Sequence, residues 1–368
     1  MPDLSHFDKA LERRKHDGTL RNIEPQLNGV DFYSNDYLGL AKNREFHNIL
    51  LGKIIKNPTL LSGSTGSRLI SGNSDIVMEA ELHIAKEHRF ESALLFSSGY
   101  QANLALFSTL PTRHHTIIVD EQVHRSVHDG CRMSHAKKLK FRHNDCGHLE
   151  DILRRQNGPC YIAVESLYSM DGDLAPLQEI AGVAEKYNSG LIVDEAHAFG
   201  VFGYGLVDRL DLQEKVLAVT VTYGKALGVH GAAILSRNTM KSYLINFASP
   251  FIYTTASQDF LWESIKAGYD FLSRNSYLSA QLKDNIKVFR KLEIQTSSSE
   301  NSPVQAVVIP DYARLKDLQQ ILSEKGFLTY AVFSPTVKKG AERLRICLHS
   351  FNTEEEITEL AGIIKEFI

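Results

Sequence analysis

Short runs rich in Val, Ile, Leu and Phe recur along the first two thirds of the chain, at 93–97, 116–120, 138–142, 160–165, 191–194 and 216–222. Each predicts a strand buried in a sheet, because such runs are too short for an ordinary helix. Between them, apolar residues fall at helical spacing, as in Ile76, Ala80 and Ile84 or in Val123, Val127 and Cys131. That spacing lays one apolar stripe along a helix, and Asn73 or Ser74 stands where the first helix needs a cap. Strand and helix alternating over 93–222 predict an α/β fold, a mostly parallel sheet covered by helices on both faces. Ligands of such sheets sit at the carboxyl ends of the strands.

The pattern changes later in the chain. The polar stretch 296–303, with four Ser, reads as a surface loop. After it come a strand-like 304–309, a helix-like 315–324, a strand-like 344–348 and a helix-like 353–368, a smaller α+β unit. The expected division is an N-terminal arm over 1–40, a large domain over 41–250 and a small C-terminal domain over 251–368. The opening, helical and Arg-rich through Arg14, reads as an arm that packs on something else.

Composition narrows the function classes. A chain of 368 residues with 43% hydrophobic content has material for one large core and a second, smaller one. Lys and Arg total 41 against 44 Asp and Glu, a net charge of −3, which carries no footprint of nucleic acid or of a polybasic membrane surface. The expected partners are small molecules. No apolar run approaches the roughly 18 residues a bilayer span requires, and residues 1–20 are charged rather than built like a signal peptide. Cys131, Cys146, Cys160 and Cys347 are scattered singly, as in a reducing compartment, so the expected location is cytoplasmic.

Candidate chemistry lies at three strand ends. No G-x-G-x-x-G follows a strand, and Gly224-Lys225 lacks the rest of a nucleotide phosphate loop. Ser97-Ser98-Gly99-Tyr100-Gln101 joins an apolar strand to the helix-like 102–110. Such a turn offers backbone N–H groups and a positive helix end to a phosphate, although a plain βα turn with a Ser cap has the same sequence. Asp194 ends an apolar strand three residues before His197, as a turn residue does or as an acid beneath a cationic ring nitrogen does. Lys225 follows a β-rich run and lies between Gly224 and Gly228, where most lysines would be plain surface charges. His143, Cys146 and His148 fit a turn and helix cap better than a metal site, and Asp171-Gly172-Asp173 fits a turn.

In order and spacing these pieces resemble the α-oxoamine synthases, a family of pyridoxal-5′-phosphate (PLP) dependent fold-type-I enzymes. The resemblance is carried by Tyr33 to Leu40, Gly66-Ser67-Arg68 with Ser71-Gly72, Ser98-Gly99-Tyr100, Asp120 to His124, His143-Asn144-Asp145, Ser169 to Asp173, Asp194 to His197, Thr222 to Lys225 and Arg343 to Ile346. It spans nearly the whole chain. It implies the PLP-dependent transferase fold, with Lys225 as covalent anchor and later as base. His124 would stack on the cofactor ring, Asp194 would meet its nitrogen, His197 would meet its phenolic oxygen, and Ser169 would be a further cofactor contact. Ser98, Gly99, Tyr100 and Thr222 would hold the phosphate. Arg21, Asn35, Thr336 and Arg345 would bind the substrates, with Arg345 clamping the carboxylate.

The implied reaction joins a small amino acid to an acyl-CoA or acyl-carrier-protein thioester with loss of carbon dioxide. In compact length and in the opening Arg13-Arg14 to Leu20-Arg21 the chain most resembles the family members that use L-alanine and a pimeloyl thioester, which the resemblance therefore implies as substrates; glycine with acetyl or serine with palmitoyl are the alternatives. The family also implies a homodimer with sites at the interface, no nucleic acid and no membrane insertion. Other PLP chemistry at the α-carbon, and a non-catalytic partner subunit, stay open. The chain departs from the family at Gly203 to Asp208, where a Gly-x-x-Gly-Arg-Gly run is usual, and His230 beside the lysine loop is unexpected.

Overall fold

The computed structural model describes residues 3–23, 25, 28–334 and 336–368. Its centre is a seven-stranded sheet of β1 (Ser92–Phe96), β2 (Thr116–Asp120), β3 (Lys137–Phe141), β4 (Cys160–Glu165), β5 (Gly190–Asp194), β6 (Ala218–Thr222) and β7 (Ala232–Ser236), ordered β1-β7-β6-β5-β4-β2-β3. Only β7 runs antiparallel to its neighbours. The six expected strands are present within two residues at either end. β7 was not anticipated from the sequence. Its Ala-Ala-Ile-Leu-Ser is all buried but short, and it follows the glycine-rich lysine loop without a helical crossover.

Helices cover the sheet as the stripes require. Ile76, Ala80 and Ile84 belong to α2 (Asp75–Glu87), capped by Ser74, whose side chain accepts from the Val77 N–H. Val127 and Cys131 are buried on α4 (Arg125–Met133). The expected 102–110 helix is α3 (Gly99–Thr109). It begins earlier because Ser98 caps it by accepting from the Gln101 N–H.

The later chain forms a second, three-stranded antiparallel sheet, β9-β10-β8, from β8 (Val304–Val308), β9 (Tyr330–Val332) and β10 (Arg343–Cys347). The helix Glu354–Phe367 opens on a capping box between Thr353 and Glu356. Val30–Asp31 pairs in parallel with Phe327–Leu328, which ties the early chain to the late one. The helix Asp259–Arg274 packs back on α2 and on Arg44–Lys56. The N-terminal helix Ser5–His16 has no buried residue; Leu4, Phe7 and Leu11, spaced along one face, are each more than half exposed. Among the described residues, no helix is long and apolar enough to cross a membrane.

Candidate active site

The parallel sheet delivers its carboxyl ends to one place. Glu165 and Asp194 end β4 and β5 as register partners, Thr222 ends β6, and Lys225 follows within three residues. The lysine loop can turn there because Gly228 takes a left-handed φ of 64° and approaches the Ala41 N–H too closely for any side chain. The Gly99 start of α3 packs against the Thr222 hydroxyl with equal closeness, so a Cβ there would collide. A groove of backbone N–H groups at a helix start, with a hydroxyl beside it, suits a phosphate.

Asp194 is held from below. Its Oδ2 accepts from Asn103 Nδ2 at 2.7 Å and its Oδ1 from the Ala196 N–H at 2.9 Å. Asn103, buried on α3, also donates to Ser126 Oγ at 3.0 Å and accepts from Thr220 Oγ1 at 3.0 Å. Ser126 Oγ lies 2.8 Å from His124 Nδ1, which also accepts from the Ser126 N–H at 3.3 Å. His124 caps α4, and its backbone N–H donates to Glu165 Oε1 at 2.5 Å. Burial lowers the His124 pKa, with the Lys225 charge adding to the shift and the Asp194 charge opposing it. The imidazole is therefore neutral and its ring is oriented by two groups on one edge.

Lys225 lies within this frame. Burial pushes its ammonium down to about 8, against the pull of Asp194 and Glu165 and with help from Arg345. Glu165, the buried neighbour, is pushed up to about 8, first by burial and then by the Asp194 charge. Among the described residues, no hydrogen bond engages the Lys225 amine. An amine with a neutral fraction near neutral pH and no hydrogen-bond partner among the described residues is chemically free to act as nucleophile or base.

The opposite wall comes from distant segments. Arg345 on β10 is 5% exposed and donates to the Ser169 carbonyl at 2.7 Å and to Asn35 Oδ1 at 2.9 Å. No carboxylate pairs with it among the described residues. Tyr37 OH lies 3.2 Å from the same Asn35 oxygen and 2.7 Å from His197 Nδ1. Burial raises the Tyr37 pKa, keeping it protonated, and burial with the nearby Lys225 and Arg345 charges holds His197 far below its usual value.

A cavity of about 890 Å³ adjoins the site, and His124, Ser169, Arg21 and Thr336 all line it. Arg21 and Thr336 are exposed at its mouth rather than in the buried wall. Tyr100 is 42% exposed and its hydroxyl is used by Asp129 at 2.6 Å, so only its backbone is available at the start of α3. Ser98, likewise, spends its hydroxyl on the helix cap.

Three contributors escaped the sequence reading. Glu165 ends an apolar run on an acid, the signal that marked Asp194, and that signal was there to use. Asn103 is a lone amide among buried apolar residues of α3. Tyr37 lay within the quoted Tyr33 to Leu40 motif. Elsewhere, His143 bridges Asp120 at 2.9 Å and Asp173 at 2.6 Å, while Asp145 caps the helix Cys146–Leu153 by accepting from the His148 N–H. The departing loop is tied down by buried Glu195, which accepts from the Leu206 and Val207 N–H groups and from Ser166. His230 is exposed in a different cavity, beside Leu50 and Ser257.

The family model of the class I and II aminotransferases matches residues 28–364. The chain is similar to 8-amino-7-oxononanoate synthases of Emericella nidulans, 37% identical over 98% of this chain and 94% of that protein, and of Marinobacter nauticus, 34% identical over 97% and 95%. Among solved structures it resembles the 8-amino-7-oxononanoate synthase of Francisella tularensis, with a TM-score of 0.79, 28% identity and coverage of 92% and 97%. A serine palmitoyltransferase from S. paucimobilis, 24% identical, shares the fold alone, with a TM-score of 0.90 over 100% and 98%. With its strand-end lysine and acid, its glycine turn and these full-length likenesses, the chain belongs to the class I and II aminotransferase family and, within it, to the α-oxoamine synthases of the PLP-dependent type I fold.

Proposed function

We propose that this protein is a PLP-dependent C-acyltransferase that condenses L-alanine with a pimeloyl thioester to give 8-amino-7-oxononanoate, carbon dioxide and the free thiol. The observation that carries the reading is the Arg345 guanidinium. It is a buried cation without a carboxylate partner among the described residues, close enough to Lys225 and His197 for its charge to act on both, and such a charge is costly unless an anion completes it. The carboxylate of an amino acid is that anion.

When bound, PLP supplies an electron sink for charge developing at the α-carbon. Lys225 would anchor it covalently, and the Gly99 and Tyr100 N–H groups, the Thr222 hydroxyl and the Ser98 turn would hold its phosphate. Asp194, fixed by Asn103, would hold its ring nitrogen, and His124, His197 and Ser169 would hold the rest of the ring.

The chain's own chemistry follows. Arg345 and Asn35 orient the amino acid so that its α-hydrogen meets the Lys225 amine. With a pKa of about 8, that amine has a neutral fraction near neutral pH and takes the α-proton. The α-carbon then bonds to the thioester carbonyl and the thiol leaves. The carboxylate stays on Arg345 until the C–C bond to it breaks, and a proton returned to the α-carbon completes the aminoketone. Arg21 and Thr336 bind the acyl end at the cavity mouth.

The protein acts in the cytoplasm, as a homodimer with sites at the subunit interface. A solution mass of one 41.3 kDa chain with full activity would contradict the dimer. The function is tested by a matrix of alanine, glycine and serine against acetyl, pimeloyl and palmitoyl thioesters, scored by thiol release. Alanine with pimeloyl gives the highest kcat/KM. Turnover confined to glycine with acetyl, or serine with palmitoyl, overturns the substrates, and no thiol release with any pair overturns the reaction class.

A further inference from the structure

Behind the lysine loop lies a line of polar groups that the reaction does not use. His88 Nε2 is 2.6 Å from Tyr269 OH, and Tyr269 OH is 3.1 Å from Tyr223 OH. All three side chains are buried. Burial alone pushes His88 down to about 3, and burial is the largest cause raising both phenols, so the line is uncharged near neutral pH. Hydroxyls and an imidazole taken out of water are costly unless they satisfy one another, and here each has the next as its partner. Phenylalanine at 223 and 269 would fill nearly the same volume with no polar group to satisfy. What the hydroxyls add is a fixed direction between the elements that carry them.

The line joins three elements. Tyr223 opens the loop that carries Lys225: its N–H donates to the Gly231 carbonyl at 3.0 Å and its carbonyl accepts from the Val229 N–H at 3.2 Å, while the Gly228 N–H donates to the Lys225 carbonyl at 2.9 Å. Tyr269 belongs to the helix Asp259–Arg274, whose Gly268 lies so close to Leu227 of the same loop that a Cβ would collide. His88 closes α2, and its neighbours hold the loop in which the chain departs from the family: Glu87 accepts from Tyr204 OH, and Arg89 donates to Asp208 Oδ1 at 2.8 Å. The Phe199 and Tyr204 rings pack against His88 with centroids 5.8 and 5.2 Å away, and Phe199 meets the Tyr223 ring edge-on at 5.6 Å. Glu87-His88-Arg89 thus braces both the lysine loop and the loop that follows His197. Only Gly224, of the residue type that restrains the backbone least, separates Tyr223 from Lys225, so the freedom of the lysine is limited at its root by the Tyr223 ring.

We infer that Tyr223, Tyr269 and His88 are positioning residues for Lys225: their buried hydrogen bonds tie the root of the lysine loop to α2 and so fix where the amine stands relative to Asp194 and Arg345. The inference rests on Lys225 as the reactive amine proposed above.

Holoenzyme is compared with Tyr223→Phe, Tyr269→Phe, the double variant, His88→Leu and His88→Gln. Tyr187→Phe is the control, because its hydroxyl serves Glu150 just before β5, at the end of the sheet away from Lys225. Loss of either hydroxyl in the line should lower kcat about threefold to tenfold, with KM for alanine and for the thioester within about twofold, since placement of the amine and not binding is disturbed. Hydrogen exchange at the Tyr223, Gly228 and Val229 amides should quicken by about fivefold or more, with and without PLP. PLP trapped on Lys225 by borohydride should accumulate more slowly by a similar factor. The double variant does no worse than Tyr269→Phe, because both changes break one line. His88→Gln, which can still bond to Tyr269, recovers most of what His88→Leu loses. Tyr187→Phe lowers the unfolding temperature alone. If the line variants behave like that control, with amide exchange, labelling and kcat as in wild type, the role is structural only and the inference is overturned. Additive losses in the double variant, or an effect on KM alone, overturn it too. Where Tyr223→Phe does not fold, Tyr269→Phe and the His88 pair carry the same readings. If wild-type protein takes no label at Lys225, the reading of the amine fails separately, and amide exchange alone decides whether the line holds the loop.

Discussion

The floor of the site and its far wall are built in opposite ways. The floor consists of Glu165, Asp194 and Thr222 on neighbouring strand ends, braced by Asn103, Thr220 and Ser126 within the same unit. The wall joins Asn35, Ser169 and Arg345, 310 residues apart at the extreme, through single hydrogen bonds between segments that belong to different parts of the fold. A floor of shared partners resists distortion as a unit, whereas a wall of single contacts can adjust to what it binds. The floor is thus suited to fix a cofactor and the wall to admit and orient a substrate.

Substitutions should separate the two. Asp194→Asn removes the charge proposed to hold the ring nitrogen while keeping the carboxylate's shape; kcat should fall at least a hundredfold, with cofactor absorbance displaced. A tenfold or smaller loss would mean the floor does not tune the cofactor. Arg345→Lys keeps a charge but loses the fork geometry. KM for alanine should rise roughly tenfold to a hundredfold while the absorbance of the loaded enzyme stays as in wild type, since each charge-assisted hydrogen bond is worth about 1.5–3 kcal/mol. A change in that absorbance as large as for Asp194→Asn would erase the distinction.

The smallest effect concerns support outside both. Burial opposes the charge on His143, but hydrogen bonds to Asp120 and Asp173 outweigh it and push the imidazole up to about 9. Its folded-state pKa is thus raised above the ordinary value of 6.5, so its contribution to stability is full below about pH 6.5 and is lost as pH rises through 9. His143→Gln should cost about 2 kcal/mol at pH 6, measured by denaturant unfolding, and much less at pH 9.5. A cost independent of pH would remove the charge from the account.

The same contrast explains what could be read in the sequence. Strand ends are local: a buried run that stops on Asp194, or a β-rich run that stops before a glycine-flanked Lys225, announces itself within ten residues. β4 and β2 were legible to the residue for that reason. The wall was not legible by spacing, because nothing local to Arg345 distinguishes a buried clamp from an outward ion pair; only the family resemblance marked it. β7 was missed because a strand reached from β6 by a short loop lacks the helix that signals a parallel crossover. Asn103 and Tyr37 escaped because a single polar group has meaning only once its partner is known, and their partners lie 91 and 160 residues away.

The central claim is that one amine, at position 225, carries the cofactor and the proton. It is tested most directly by loading the protein with PLP, reducing the linkage with borohydride and mapping the labelled peptide. The account predicts a single label on Lys225 and a visible absorbance band that is absent in Lys225→Ala. A label on another lysine, or a band that survives in Lys225→Ala, would contradict it.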